Sequence, residues 1–593
     1  MKSEKFSAAA LLLIAVVNLY FLIAVRICDY HGTNWQTIIY SDGKGYYEYL
    51  RAAFINHNLS KEDSSLGYIR VGNHGPVIKF FCGTAIAQAP FFTAGYVISL
   101  IRSQVTDGYT SEFQILIVLA GYCYLLLGLY FLKKILQQFH FSDFIIAVTL
   151  LLITYGTNLF YYSILEPSMS HVYAFACVAG FIFSAHRYFK SHLVKHLILA
   201  SIFFGITILI RPTNVVVLFM IPFLIGKREN FFLFPKNTLH LFIPVFIIGI
   251  FVFVQMLFWK LQTGNWIVWS YTGEGFYFTR PAIFSVLFSY DKGWFVYTPL
   301  AAIAVFGFFP LWKMNRSAAI SIALTLIAAI YFTAAWWCWD YANSFGMRPL
   351  IDFCSIVAVL LAALISSLRK TVLRIFAGVL LLSALVLSGV QTYQYYQGII
   401  QHYSMNKGKY WYVFMKTGDA FKNILGGNAD LMPYTKKSPE LILETKNDFS
   451  TDIPNWLTFL SVPGEDKANR YGQFDSVSTR LLYSTAIDSS FTNTDELYAE
   501  VSLRRLEYTQ HSSSSAKLIA ELKNDSQSIF SYSFAMNDFP DPHTNEWRTF
   551  HYAFWIRKQY KAYNTFTFEI QNPAKQNFLV DDVEIKIFRM FQQ

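Results

Sequence analysis

Apolar runs of about twenty residues recur through the first two thirds of the chain, each long enough to cross roughly 30 Å of hydrocarbon. Their spacing predicts helices near residues 6–26, 113–132, 142–160, 170–187, 196–210, 213–226, 238–259, 297–312, 317–335, 349–367 and 372–392, about eleven crossings. One further apolar piece, Pro76 to Ile101, is interrupted by Lys79, Gln88 and Pro90, which suits a helix lying along the membrane interface. The first run follows Lys2 and Lys5 but lacks a small-residue cleavage site, so it reads as a retained helix rather than a signal peptide.

Beyond residue 393 the period of the pattern changes. Stretches such as Leu497–Leu503, Lys517–Leu522, Ser528–Phe534, Phe566–Ile570 and Val583–Phe588 alternate apolar with polar residues, with Asn, Asp, Ser and Pro in the intervals. That alternation predicts an antiparallel β-sandwich. The organisation expected is therefore an α-helical polytopic membrane domain over 1–392, a linker over 393–439 and an all-β sandwich over 440–593.

Charge orients this layout. Short cytoplasmic loops hold an excess of Lys and Arg. With the N-terminus inside, Lys133 and Lys134, Arg187 with Lys190 and Lys195, Lys227 with Arg228 and Lys236, Lys313 with Arg316, and Arg369 with Lys370 and Arg374 all fall on one side. The other side collects the Asp42 segment, Glu166 to His171, Arg211 to Asn214, Gln262 to Arg280, Ser289 to Pro299 and Trp336 to Arg348. The chemistry is thus expected on the non-cytoplasmic face, and the β-sandwich with it.

Composition agrees with the pattern. Of 593 residues, 54% are hydrophobic and 18% aromatic, well above a soluble average. The net charge of +10 comes from dispersed basic residues between apolar runs, so membrane orientation accounts for it without nucleic acid. The six cysteines show no metal-ligand spacing and read as buried thiols. No Walker loop or dinucleotide glycine fingerprint is present, which argues against direct use of a cytosolic nucleotide.

Two outer carboxylates stand near helix ends. Asp42 opens the stretch Asp42-Gly-Lys-Gly45-Tyr46-Tyr47, and Glu166 precedes Pro167, which stops a helix at the aqueous boundary. One carboxylate can take a proton from an incoming hydroxyl or amine while the other orients the acceptor or, as Glu166, holds a divalent metal ion. Candidate cations for a phosphate are Arg348, Arg280 and Arg211, with His74 and Lys79 in Asn73-His-Gly-Pro-Val-Ile-Lys79. The planar guanidinium matches phosphate oxygens, and an arginine in an apolar setting needs a partner or a water-filled cavity. Tyr46, Tyr47 and His171 complete the candidate substrate-binding set, His171 reading more simply as a hydrogen-bonded structural histidine.

In order and side, Asp42 with Gly45-Tyr46-Tyr47, Asn73-His-Gly-Pro76, Leu165-Glu-Pro167 and Ser344-Phe-Gly-Met-Arg348 resemble the GT-C superfamily of polytopic glycosyltransferases, which includes protein O-mannosyltransferases and aminoarabinose transferases. The resemblance covers roughly residues 1–392. It implies a polyprenyl-phosphate-linked sugar donor, a glycan, lipid or protein acceptor, and Asp42 as the catalytic carboxylate, with Glu166 in the second carboxylate's place. This chain has Glu before Pro where several relatives have Asp. The closing pattern Phe578-Leu-Val-Asp-Asp-Val-Glu-Ile585 is similar to the last strand of jelly-roll carbohydrate-binding modules. The expected setting is a bacterial inner membrane with a periplasmic C-terminal domain. A flippase for lipid-linked sugars would need access from both sides, and a non-catalytic assembly protein would tolerate loss of Asp42 and Glu166.

Overall fold

A computed structural model describes residues 4–28, 34–58, 68–72, 75–226, 238–432, 437–451, 453–457, 461–463, 470–486, 496–509, 516–536, 544–556 and 563–591. The chain folds as two compact units. One comprises Met1–Tyr271, Phe278–Ala335 and Phe345–Thr392; the other comprises Thr272–Tyr277, Trp336–Ser344 and Tyr393–Gln593.

The first unit is helical. Among the described residues, eight helices are long and apolar enough to cross a membrane: Lys5–Ile27, Gly83–Ile101, Ser111–Gln138, His171–Ser191, His240–Thr263, Arg316–Ala335, Arg348–Ser367 and Thr371–Tyr396. Several such helices in one chain are the build of a multi-pass membrane protein. Gly83–Ile101, expected along the interface, has the length and composition of the other seven.

Three of the predicted runs take a different form, for local reasons. The run at 213–226 divides into a 3₁₀ segment, Pro212–Met220, and a short α-helix, Ile221–Ile225, because Pro222 cannot donate into a continuous ladder. The run at 297–312 is broken into Trp294–Tyr297, Pro299–Val305 and Phe308–Met314. Pro299 restarts the helix at its first turn, and a β-carbon on Gly307 would stand 2.0 Å from the Leu360 carbonyl oxygen, so the second break lies where two backbones touch. Asp143–Tyr155 is a 13-residue helix capped by Ser142 Oγ, which accepts from the Ile145 amide at 3.4 Å.

Four other elements position the site. Helix α2 spans Asp42–Phe54, so the Asp42 stretch begins a helix at Asp42 itself. A hairpin follows, β1 Ile69–Gly72 antiparallel to β2 Gly75–Ile78. Helix α6, His171–Ser191, is the most enclosed of the long helices, with 83% of its apolar window buried. A 3₁₀ turn, Arg348–Phe353, opens the run that ends at Ser367.

The second unit contains two antiparallel sheets. Its strands are β3 Glu440–Asn447, β4 Trp456–Leu457, β5 Ser461–Pro463, β6 Arg470–Phe474, β7 Arg480–Ala486, β8 Glu496–Glu507, β9 Lys517–Asn524, β10 Gln527–Ala535, β11 Arg548–Ile556, β12 Thr565–Gln571 and β13 Phe578–Met590. One sheet runs β10-β9-β12-β7-β4; the other runs β11-β8-β13-β6-β5, with β3 also paired to β13. Alternate residues of both sheets, Leu518, Leu522, Phe566 and Phe568 with Val501, Leu503, Ile585 and Ile587, share one apolar core. The Asp581-Asp582 pair lies at a β-bulge in β13, where register with β8 shifts and Asp582 takes φ 49°.

The segment after residue 393 is folded as well. The Lys409 side chain is fully buried and donates to Gln401 Oε1 at 3.0 Å, the Ser404 carbonyl at 2.7 Å and the Gly426 carbonyl at 2.7 Å. Three acceptors on one ammonium tie residues 401–426 into a knot, since a buried Lys is tolerated only when it is satisfied.

Candidate active site

Ser41 sits at φ 51° and ψ −135°, backbone that an L side chain rarely adopts, and the next residue, Asp42, starts α2. The two glycines that follow serve packing. A β-carbon on Gly43 would lie 2.1 Å from Ser168 Oγ, and one on Gly45 would lie 2.6 Å from the Phe80 ring. Only the absence of side chains lets α2 lie against the 166–170 segment and against the end of the β1–β2 hairpin. Ser168 Oγ in turn donates to the Ile38 carbonyl at 2.9 Å, which fixes the strand of chain leading to Asp42.

Arg348 is brought to Asp42 from far along the sequence. The turn before it is clamped: Asn158 Nδ2 donates to the Phe345 carbonyl at 2.6 Å, the Phe345 amide donates to the Tyr162 hydroxyl at 2.7 Å, and Thr298 Oγ1 donates to Asn158 Oδ1 at 3.0 Å. Gly346 there has φ 58°, and its missing β-carbon would stand 2.5 Å from Asn158 Nδ2. Arg348 Nη2 then reaches Asp42 Oδ2 at 2.7 Å, with the arginine side chain 10% exposed and the aspartate 32%. A guanidinium buried to that degree needs such a partner.

Glu166 joins the pair. It follows the one-turn segment Tyr161–Leu165, and Tyr161 OH donates to Glu166 Oε1 at 2.9 Å. Burial pushes the Glu166 carboxyl above its ordinary value; the Tyr161 bond, Arg348 and Arg26 pull it down, and the Asp42 charge pushes it up. Arg348 and Asp42 thus bear on Glu166 through charge, while its hydrogen bond is to Tyr161.

A second group of polar residues centres on Asp352, four residues after Arg348. Asp352 is fully buried; its Oδ1 faces His171 Nδ1 at 3.1 Å, its Oδ2 accepts from Asn214 Nδ2 at 2.8 Å, and Arg211 Nη1 stands 3.9 Å from that same oxygen. Arg211 Nη2 also donates to Ser170 Oγ at 3.4 Å. Tyr46 feels charges of both groups. Its ring packs on Phe80 with centroids 4.4 Å apart, and burial raises its hydroxyl, reinforced by Asp42 and opposed by Arg211 and Arg348.

The other candidates lie elsewhere. Tyr47 is buried and spends its hydroxyl on the Gly108 carbonyl at 2.7 Å, an anchor for the fold. Lys79 Nζ lies over the rings of Phe80 and Tyr271, at 5.4 and 5.3 Å from their centroids. Arg280 is exposed, and no ion pair to it is found among the described residues. His74 falls outside the described residues. Asp352 and Asn214 were not among the predicted site residues. An ionisable side chain inside the apolar run 349–367 was the signal available for Asp352.

For a divalent ion, Glu166 and Asp42 supply the carboxylates, but Arg348 already bonds one and bears on the other, and Arg26 bears on Glu166 as well. In this structure Arg348 supplies the charge opposite Asp42, and Asp42 and Glu166 are the residues that would hold such an ion.

No family model matches the chain, and no curated protein matches it. Solved structures with weak similarity include an arabinose-bound α-L-arabinofuranosidase (13% identity, 26% of this chain and 25% of that one, TM-score 0.16). Others are the CBM22-1–GH10 modules of a Clostridium thermocellum xylanase with xylohexaose (13%, 24% and 28%, TM-score 0.15) and the enzymatically active domain of a bacteriophage CBA120 tailspike protein (13%, 24% and 19%, TM-score 0.14). The chain thus spans less than a third of the length of each.

Proposed function

We propose that the chain is an integral membrane glycosyltransferase of GT-C type, transferring a sugar from a polyprenyl-phosphate donor to an acceptor on the non-cytoplasmic face of a bacterial inner membrane. The observation that carries this reading is the Asp42–Arg348 pair beside Glu166: a base and a phosphate ligand held in one half-buried place. The C-terminal sheets, read as a jelly-roll-like sandwich, would lie in the periplasm.

In the reaction, a hydroxyl or amine of the acceptor gives its proton to Asp42 as its oxygen or nitrogen bonds to the anomeric carbon. The bond from that carbon to the phosphate oxygen breaks, and the polyprenyl phosphate leaves with the electron pair. Arg348 takes up the charge that grows on the phosphate, an electrostatic contribution worth most where water is scarce. A single displacement inverts the anomeric centre. Glu166, held by Tyr161, orients the acceptor.

The test is reconstitution in liposomes with labelled polyprenyl-phosphate sugars and an envelope extract. Label that moves to a lipid, glycan or protein in an Asp42-dependent way supports a transferase, whereas label that only changes leaflet identifies a flippase.

A further inference from the structure

On the turn that carries Arg348 stands a carboxylate to which the reaction assigns no step. Asp352 is fully buried, a position in which a carboxylate is costly unless donors satisfy it. Its partners come from two separate parts of the chain: His171 at the start of α6, and Arg211 with Asn214 at the start of the 3₁₀ segment Pro212–Met220. Such convergence is more than a hydrogen-bond filler requires, since Asn214 and His171 alone already occupy one oxygen each.

The consequence falls on Arg211. Its backbone is extended at φ −152° and Pro212 follows, so the side chain is not carried by a regular helix. Its head group donates to Ser170 Oγ and stands 3.9 Å from Asp352 Oδ2, an ion-pair distance, and the side chain keeps 17% exposure. Arg211 bonds Ser170, two residues from the Ser168 that packs on Gly43, and Arg348 bonds Asp42, the residue before that glycine, so the two guanidinium groups bear on the same small region. Arg348 sits on the same 3₁₀ turn as Asp352, four residues earlier. One buried carboxylate therefore stands on the turn that carries the first arginine and beside the head group of the second.

We propose that Asp352 is a positioning residue that aligns Arg211 beside Arg348, so that two guanidinium groups bind the single phosphate of the donor. This rests on the glycosyltransferase reading. Two planar forks around one phosphate give charge and direction together, which one arginine shared with Asp42 does not.

The experiment measures binding of sugar-free polyprenyl phosphate to the full-length protein in nanodiscs, for the native chain, Asp352→Asn, Arg211→Ala and the double variant. Thermal midpoints are recorded alongside, and sugar transfer is followed in liposomes. Loss of one charge-assisted contact is expected to weaken binding about tenfold in each single variant. The double variant is expected to bind no worse than Arg211→Ala, because Asp352 acts only through Arg211; a purely structural Asp352 gives additive losses. In transfer, the singles raise KM for the donor with kcat changed less. Additive losses, or native affinity in a folded Asp352→Asn protein, overturn the inference. Where Asp352→Asn does not fold, Arg211→Ala decides: native affinity there overturns it. A native chain that neither binds polyprenyl phosphate nor transfers sugar overturns the glycosyltransferase reading itself, whereas native binding with unaltered variants overturns only the role of Asp352.

Discussion

Asp42 and Arg348 lie 306 residues apart in sequence and 2.7 Å apart in space, carboxylate oxygen to guanidinium nitrogen. A carboxylate bonded to an arginine is a weaker base than a free one. In the proposed reaction, a phosphate arriving at Arg348 would compete for that guanidinium and release Asp42 toward the acceptor. The resting pair would thus link donor binding to the availability of the base.

Replacing Arg348 tests the phosphate side of this link. Arg348→Ala is expected to lower the transfer rate by roughly 10²–10³-fold, the loss typical of a removed oxyanion-stabilising donor. Arg348→Lys keeps the charge without the fork and falls between the two. Initial rates in liposomes measure both, and equal rates for native and Ala proteins would contradict the role.

The close approach of α2 to residue 168 gives a rescue experiment. Gly43→Ala would place its methyl 2.1 Å from Ser168 Oγ and 2.7 Å from Ser168 Cβ, with the next atom, the Ser168 carbonyl carbon, at 3.5 Å. The variant should lose transfer and about 1–3 kcal/mol of stability through overpacking. Adding Ser168→Gly removes both clashing atoms and restores part of each, as read by rate and by thermal midpoint.

Glu166 predicts a pH dependence of definite sign. Burial, foremost, raises its carboxyl above 4.5, among Tyr161, Arg348, Arg26 and Asp42. A raised carboxyl favours the folded state while protonated; that contribution is complete below its ordinary value and lost as pH rises through the folded one. Glu166→Gln stays neutral at every pH. Its thermal midpoint should match the native one in acid and exceed it increasingly as pH rises, and a difference independent of pH would count against the assignment.

In the second unit, Lys409→Met would leave the Gln401 side chain and the carbonyls of Ser404 and Gly426 without their shared donor. The expected cost is about 3 kcal/mol, with faster proteolysis between residues 401 and 426 of the full chain. Native resistance to protease would show that the knot is not structural.

Period was the legible part of this fold. The alternation at 497–503, 517–522, 528–534, 566–570 and 583–588 falls inside β8, β9, β10, β12 and β13, because one face of each strand enters a shared core. Apolar runs marked the long helices equally well. Breaks within the runs were less legible, since the one at Gly307 depends on a backbone contact with Leu360 that no local pattern encodes. Asp42, Glu166, Arg211, His171 and Arg348 could be singled out by type and side, but not paired, because pairing over 306 residues is a property of the packing. Asp352 was hidden for the opposite reason: the apolar run around it read as a continuous span.

The most direct measurement is transfer of label from a polyprenyl-phosphate sugar by the native protein and by Asp42→Asn in the same liposomes, with matched thermal midpoints. Transfer by the native chain and its loss in Asp42→Asn is the result expected. Undiminished transfer in a folded Asp42→Asn protein would contradict the account.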